Sequence, residues 1–316
     1  MNFLTKIPIH QQENNLIDYN SKLLLIGSCF SENIGSEFDY FKFQNTINPF
    51  GILFHPKAIE ALIVNVIEEK EFTEQDIFFH NEQWHCFDAH SLLSNTSKEV
   101  LLQQLNERIT ATKTQLQEVS HIIITLGTSW VYNHIANDKT VANCHKVPQK
   151  EFEKQILSVD TILQSLENIE KSIRRLNKKA SVIFTVSPVR HIKDGFVENT
   201  QSKAHLITAI HQFLVKNPQN YYFPSYEIMM DELRDYRFYK GDMLHPNEIA
   251  VNYIWERFKQ TWISPKAEVT MKEVAVIQKG LRHKPFNPSS KAHLQFVENI
   301  KNRSEQLLQK HPFMEF

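Results

Sequence analysis

A serine directly after a short apolar run and, far along the chain, an aspartate three residues before a histidine are the residue types that acyl transfer needs. Ser28 follows Lys22-Leu23-Leu24-Leu25-Ile26-Gly27 and precedes a stretch in which Phe30, Ile34 and Phe38 recur at helical spacing. That pattern predicts a strand, a tight turn and a helix, with Ser28 where the first helical N–H groups point at anything bound. A hydroxyl there can attack a carbonyl while its own N–H stabilises the oxyanion; the blander use of such a serine is to cap the helix. Gly241-Asp242-Met243-Leu244-His245-Pro246 is the second string. Its carboxylate can accept from one imidazole nitrogen and leave the other free to take a proton from a hydroxyl. The same string also reads as a turn in which Pro246 and Asn247 open a helix.

Cys29 is a rival nucleophile, because a helix N-terminus lowers a thiol pKa, although a buried cysteine packing as a small hydrophobe is commoner. His80, His85, Cys86, Asp88 and His90 cluster in sequence, with Cys144-His145 elsewhere. These are zinc-ligand types, yet their spacing fits no standard finger or helical motif, so no metal is assigned. Asn48, His90, Asn143, His145, Lys146, Arg190 and His191 are expected to line a substrate pocket if they gather at the strand ends. Arg190 has the fork to hold a carboxylate or phosphate. The aromatic and basic residues between 221 and 240 are offset by Glu227, Asp231, Glu232 and Asp235, so they read as a solvated, ion-paired stretch.

The elements that must position these residues follow from apolar periodicity. Residues 22–26, 121–126 and 181–186 read as short, largely apolar strands of the kind buried on both faces of a parallel sheet. Between them, helices are expected at 56–66, 100–116 and 152–176, and beyond them at 204–215 and 247–262; a short strand is expected at 221–223. Residues 41–54 read as irregular strand, and 78–94 as strand and loop. Alternating strands and helices predict a parallel sheet covered on both faces, whose ligands bind at the carboxyl ends of the strands. Those ends carry Gly27-Ser28-Cys29, Gly127-Thr128-Ser129 and Ser187-Pro188-Val189-Arg190-His191.

Composition excludes other classes. The 316 residues are 41% hydrophobic with 22 phenylalanines, enough for a packed core, and the net charge of -1 gives no overall field for nucleic acid or an anionic membrane. No apolar run is long enough to span a bilayer. Three scattered cysteines suit a reducing cytosol, residues 1–9 lack the marks of a signal peptide, and a cytoplasmic location is expected. With only 7 glycines, Gly27, Gly51, Gly127 and Gly241 stand out as points where the backbone turns sharply or approaches a ligand.

These motifs together resemble the SGNH hydrolase superfamily and, more narrowly, its GSCFA family, through Gly27-Ser28-Cys29-Phe30, Asn48-Pro49-Phe50-Gly51, Thr125-Leu126-Gly127-Thr128, Asn143-Cys144-His145-Lys146, Ser187-Pro188-Val189-Arg190-His191 and Asp242-x-x-His245. The resemblance covers residues 20–262. It implies a three-layer, flavodoxin-like α/β fold and ester or acyl-transfer chemistry without a cofactor. By it, Ser28 matches the nucleophile, His245 the general base, Asp242 its orienting partner, and Gly51 an oxyanion donor alongside the N–H of Ser28. The superfamily's oxyanion asparagine is replaced in Gly127-Thr128-Ser129, where the Thr128 hydroxyl would donate. The expected protein is therefore an SGNH-like domain over 1–263 with a helical C-terminal appendage over 264–316. It would act on a small-molecule or glycan ester, with no nucleic-acid or membrane partner. The alternatives are a non-catalytic module binding a carbohydrate or nucleotide-like ligand and, behind it, a metal-dependent hydrolase.

Overall fold

The computed structural model describes residues 5–316; residues 1–4, the start of the N-terminal stretch read above, lie outside the described residues. In chain order the elements are β1 (Lys22–Gly27), α1 (Cys29–Tyr40), β2 (Gln44–Ile47), α2 (Pro56–Ile67), β3 (Ile77–His80), β4 (Gln83–Cys86), α3 (Lys98–Glu118), β5 (His121–Leu126), β6 (Trp130–His134), β7 (Lys139–Val141), β8 (Phe152–Ile156), α4 (Val159–Leu176), β9 (Ser181–Val186), α5 (Phe196–Lys216), β10 (Tyr221–Tyr222), α6 (Ser225–Glu227), α7 (Glu248–Trp262), α8 (Pro265–Leu281) and α9 (Lys291–Lys310).

The main sheet runs β10-β9-β5-β1-β2 with every pair parallel. Counted from β2, this is the 2-1-3-4-5 order of flavodoxin-like sheets. The strand period of two sorts the apolar runs between two cores. Leu24, Ile26, Ile122, Ile124, Val182 and Phe184 face one way, against α2, α3, α4 and α5. Leu23, Leu25, Ile123 and Ile183 face the other way, against α1 and α7. Three layers result, and the helical expectation for the C-terminal region holds: Met271, Val274 and Ile277 of α8 and Ile300 and Leu307 of α9 extend the α1/α7 core.

Three sequence expectations need correction. The helix expected over 152–176 begins only at Val159, where Ser158 caps it by accepting from Thr161 N at 3.1 Å. Phe152 and Ile156 instead belong to β8, which pairs antiparallel with β6; with β7 these strands form a small second sheet that the apolar pattern did not reveal. The helix expected over 204–215 starts earlier, at Phe196. Of residues 41–54, only Gln44–Ile47 is strand.

Candidate active site

Gly27 closes β1 at φ +141, and a Cβ there would fall inside the Thr125 carbonyl, so close β1–β5 pairing requires glycine. The ladder continues one residue further: Ser28 N donates to Thr125 O at 3.0 Å. Ser28 is also the N-cap of α1. Its Oγ accepts from Phe30 N at 3.3 Å and its carbonyl from Ser31 N at 2.8 Å, and the residue has no exposed surface. Among the described residues no hydrogen bond joins Ser28 Oγ to His245. Cys29, at the first helical position, keeps part of its surface exposed, and among the described residues no other residue accepts its N–H, which meets only its own sulfur. Burial raises its thiol pKa, Glu32 adding to the effect, while Lys203, the residue's own N–H and Lys240 act to lower it.

Asp242 and His245 meet. His245 Nδ1 lies 2.7 Å from Asp242 Oδ2, and Asp242 Oδ1 accepts from Leu244 N at 2.8 Å and His245 N at 3.0 Å. Those two backbone donors, His245 N first, together with the imidazole hold the carboxyl down at about 2. Among the described residues His245 Nε2 has no partner. The loop is fixed from several sides: Lys240 N donates to His245 O at 2.7 Å, Arg190 N donates to Leu244 O at 3.1 Å, and Asn247 caps α7 through Ala250 N at 3.1 Å. The turn itself is made by Met243 at φ +59. Gly241, singled out in the sequence, lacks a positive φ and has nothing within 4 Å of where a Cβ would sit, so neither a special turn nor a close approach demands glycine there.

At the same strand ends lies Lys203, which sequence reasoning missed. It is fully buried in α5, and its Nζ donates to Gly127 O at 2.7 Å and Ser187 O at 2.8 Å, joining the ends of β5 and β9. Burial lowers its pKa to about 7, with Cys29 acting to raise it. The signal was available: Asn199, Ser202, Lys203, Leu206, Ile210 and Phe213 share the buried face of α5 at helical spacing. His191 sits beside it. Its N–H is held by Asn199 Oδ1 at 2.8 Å, its Nε2 is buried without a partner among the described residues, and burial, then Lys203, then His245 lower its pKa to about 3. A Cβ on Gly127 would lie 3.2 Å from both His191 Nε2 and Ser28 Cβ, which places the two residues about one point at the strand ends.

The expected oxyanion donors are already engaged. Besides Ser28 N, Gly51 N donates to Asn48 O at 2.7 Å, and Thr128 N to Phe54 O at 3.0 Å. Thr128 Oγ1 pairs with Ser202 Oγ at 3.0 Å and accepts from Trp130 N at 3.0 Å. Gly51 is required for shape instead: at φ +73 it lets His90 Cβ pack where its own Cβ would be. Asn48, in the left-handed region at φ +43, accepts from Gly27 N through Oδ1 at 2.9 Å, and among the described residues its buried Nδ2 has no partner.

The expected substrate residues divide. Arg190 and His191 follow β9 at the site, and the Arg190 guanidinium lies over the rings of Phe196, Tyr236 and Tyr239 at 5.2, 5.8 and 5.5 Å. His90 packs on Gly51 and caps a short turn through Leu92 N. His145 does not face a ligand: its ring bonds Cys86 O at 2.8 Å and Ser91 Oγ at 3.1 Å, and burial holds its pKa at about 4. Asn143 stabilises that turn, accepting from His145 N at 2.8 Å. Lys146 is exposed, and its carbonyl bonds His80 Nε2 at 3.3 Å. A cavity of about 270 Å³ beside the site is lined by Phe54, Trp130, Tyr132, Asn143, Cys144 and His191, among others. Among the described residues, no three His, Cys, Asp or Glu side chains gather as a metal site, and no helix is long and apolar enough to cross a membrane.

The fold and site define a flavodoxin-like, three-layer α/β protein with an Asp–His pair at the carboxyl ends of its strands. The GSCFA family model matches residues 22–258, and that for the C-terminal domain of GSCFA domain proteins matches residues 274–316; the chain belongs to the GSCFA family. Among solved structures, it is similar to a carbohydrate esterase family 3 protein from Talaromyces cellulolyticus, at 11% identity and TM-score 0.37 over 80% of this chain and 99% of that one. An acetyl xylan esterase from the rumen bacterium Butyrivibrio proteoclasticus is similar at 12% identity and TM-score 0.33, over 80% of this chain and 64% of that one. No curated protein matches the sequence.

Proposed function

We propose that the protein is an SGNH-type hydrolase or acyltransferase acting on a carboxylic ester. His245 is its general base, Asp242 orients the imidazole, and the nucleophile belongs to the turn between β1 and α1, where the family resemblance puts Ser28. The observation that carries this reading is the Nδ1 contact of His245 with Asp242 at 2.7 Å, which leaves Nε2 unpaired among the described residues. A carboxylate so placed fixes the tautomer with Nε2 as acceptor and stabilises the imidazolium formed when a proton is taken. The neighbouring cavity is lined by the aromatic residues Phe54, Trp130 and Tyr132 together with Asn143. Such a lining suits a sugar ring and supports a carbohydrate ester as substrate.

Hydrolysis of p-nitrophenyl acetate and of acetylated sugars, by wild type and His245→Ala, tests the proposal. Turnover that falls at least about a hundredfold in the variant is expected. Equal turnover by the two proteins would overturn it.

A further inference from the structure

Ser28 and Cys29 stand side by side on the turn but are used differently. Ser28 is fully buried, its N–H belongs to the sheet ladder, and its Oγ caps α1. Cys29 keeps exposed surface, and among the described residues its N–H is the first donor of α1 that no other residue takes, meeting only its own sulfur. A second donor lies at the same turn: the Asn48 carboxamide is anchored on Gly27 N at 2.9 Å, the residue is 7% exposed, and its Nδ2 has no partner among the described residues. Lys203 Nζ, bound to Gly127 O at 2.7 Å, acts on the Cys29 thiol when protonated, against the effect of burial. Lys240, whose N–H holds His245 O at 2.7 Å, acts on the same thiol from the loop side.

We infer that Cys29, not Ser28, is the nucleophile of this site, with the Cys29 N–H and Asn48 Nδ2 as its oxyanion donors. The inference rests on the acyl-transfer reading above and changes the atom that attacks. The Cys29 Sγ–carbon bond forms as the thiol proton passes to His245 Nε2, and the carbonyl oxygen becomes an oxyanion facing the two donors. The carbon–oxygen bond to the alcohol then breaks as His245 returns that proton to the leaving oxygen, and a thioester remains on Cys29. Water or an acceptor hydroxyl adds next, giving its proton to His245. The thiolate leaves the acid or new ester and is reprotonated. The thiol rests protonated because burial outweighs the lysines, so the step depends on His245 as base.

The test combines acyl trapping with alkylation. Wild type, Cys29→Ala and His245→Ala are mixed with p-nitrophenyl acetate, quenched and fragmented by mass spectrometry. In parallel, iodoacetamide labelling of Cys29, Cys86 and Cys144 is timed. The expected result is an acetyl group on Cys29 that neutral hydroxylamine removes, turnover at least about a hundredfold lower in Cys29→Ala, and alkylation of Cys29 that outpaces Cys144 and slows in His245→Ala. An acetyl group on Ser28, or wild-type turnover by Cys29→Ala, overturns the inference. If that turnover still requires His245, the acyl-transfer reading survives without Cys29. Should Cys29→Ala fail to fold or no ester react, the alkylation rates decide: Cys29 labelling no faster than Cys144 and indifferent to His245→Ala overturns it.

Discussion

One carboxylate holds His245 at two points: Asp242 Oδ2 lies 2.7 Å from the ring Nδ1, and Oδ1 accepts the same residue's backbone N–H at 3.0 Å. The pair is therefore a rigid unit even though its side chains are 44% and 39% exposed. An amide in place of the carboxylate keeps the shape but no longer compels the Nδ1-protonated tautomer. Asp242→Asn is expected to lower kcat roughly a thousandfold or more with little change in melting temperature. Steady-state kinetics beside a thermal melt checks this; unchanged kcat would mean the pair serves the loop alone.

Acid should unfold the protein through histidines buried in neutral form. Burial lowers His55 and His145 to about 4 and His191 to about 3, from an ordinary 6.5. Below that ordinary value the unfolded chain binds protons that the folded chain refuses, so stability is complete above it and falls with pH. Each group removes about 2 kcal/mol between pH 7 and 5. Urea unfolding at pH 7, 6 and 5 measures the loss, and a flat profile would refute it.

Lys203 gives the opposite window. It sits near 7 when folded, against 10.5 ordinarily. Below 7 both states are protonated and the full cost of a buried ammonium is present. Between 7 and 10.5 only the unfolded state holds the proton, so stability rises with pH. Relative to Lys203→Met, wild type should gain about 2 kcal/mol between pH 7 and 9. Parallel pH profiles for the two proteins would contradict the assignment.

Two glycines near the site should behave differently. A Cβ at Gly27 meets the Thr125 backbone at a positive φ, whereas Gly241 faces open space. Gly27→Ala should destabilise by at least about 3 kcal/mol, and Gly241→Ala should change stability by less than about 0.5 kcal/mol. Denaturant midpoints for both variants test the contrast.

What the sequence revealed follows from what side-chain pattern encodes. Strands 121–126 and 181–186 appear in the structure with the same limits because residues buried on both faces leave a largely apolar run with no polar alternation. Phe152 and Ile156, four apart, continue a helical period by coincidence, and only the Ser158 cap marks where the helix begins. The Asp–His contact was legible because three residues of loop can hardly separate such a pair. The oxyanion donors were not, since residue type says nothing about whether a neighbouring strand or turn already takes the N–H. Lys203 was hidden because a lysine ordinarily signals solvent, and its place on the inner face of α5 shows only once Asn199 and Ser202 are seen on the same stripe.

The central claim is that a nucleophile at the β1–α1 turn becomes acylated with His245 as its base. Intact-protein mass spectrometry of rapidly quenched mixtures with p-nitrophenyl acetate tests it most directly. Wild type should gain the mass of one acetyl group within a turnover, and His245→Ala should not. No adduct on wild type during turnover, or an equal adduct on both proteins, would contradict the account.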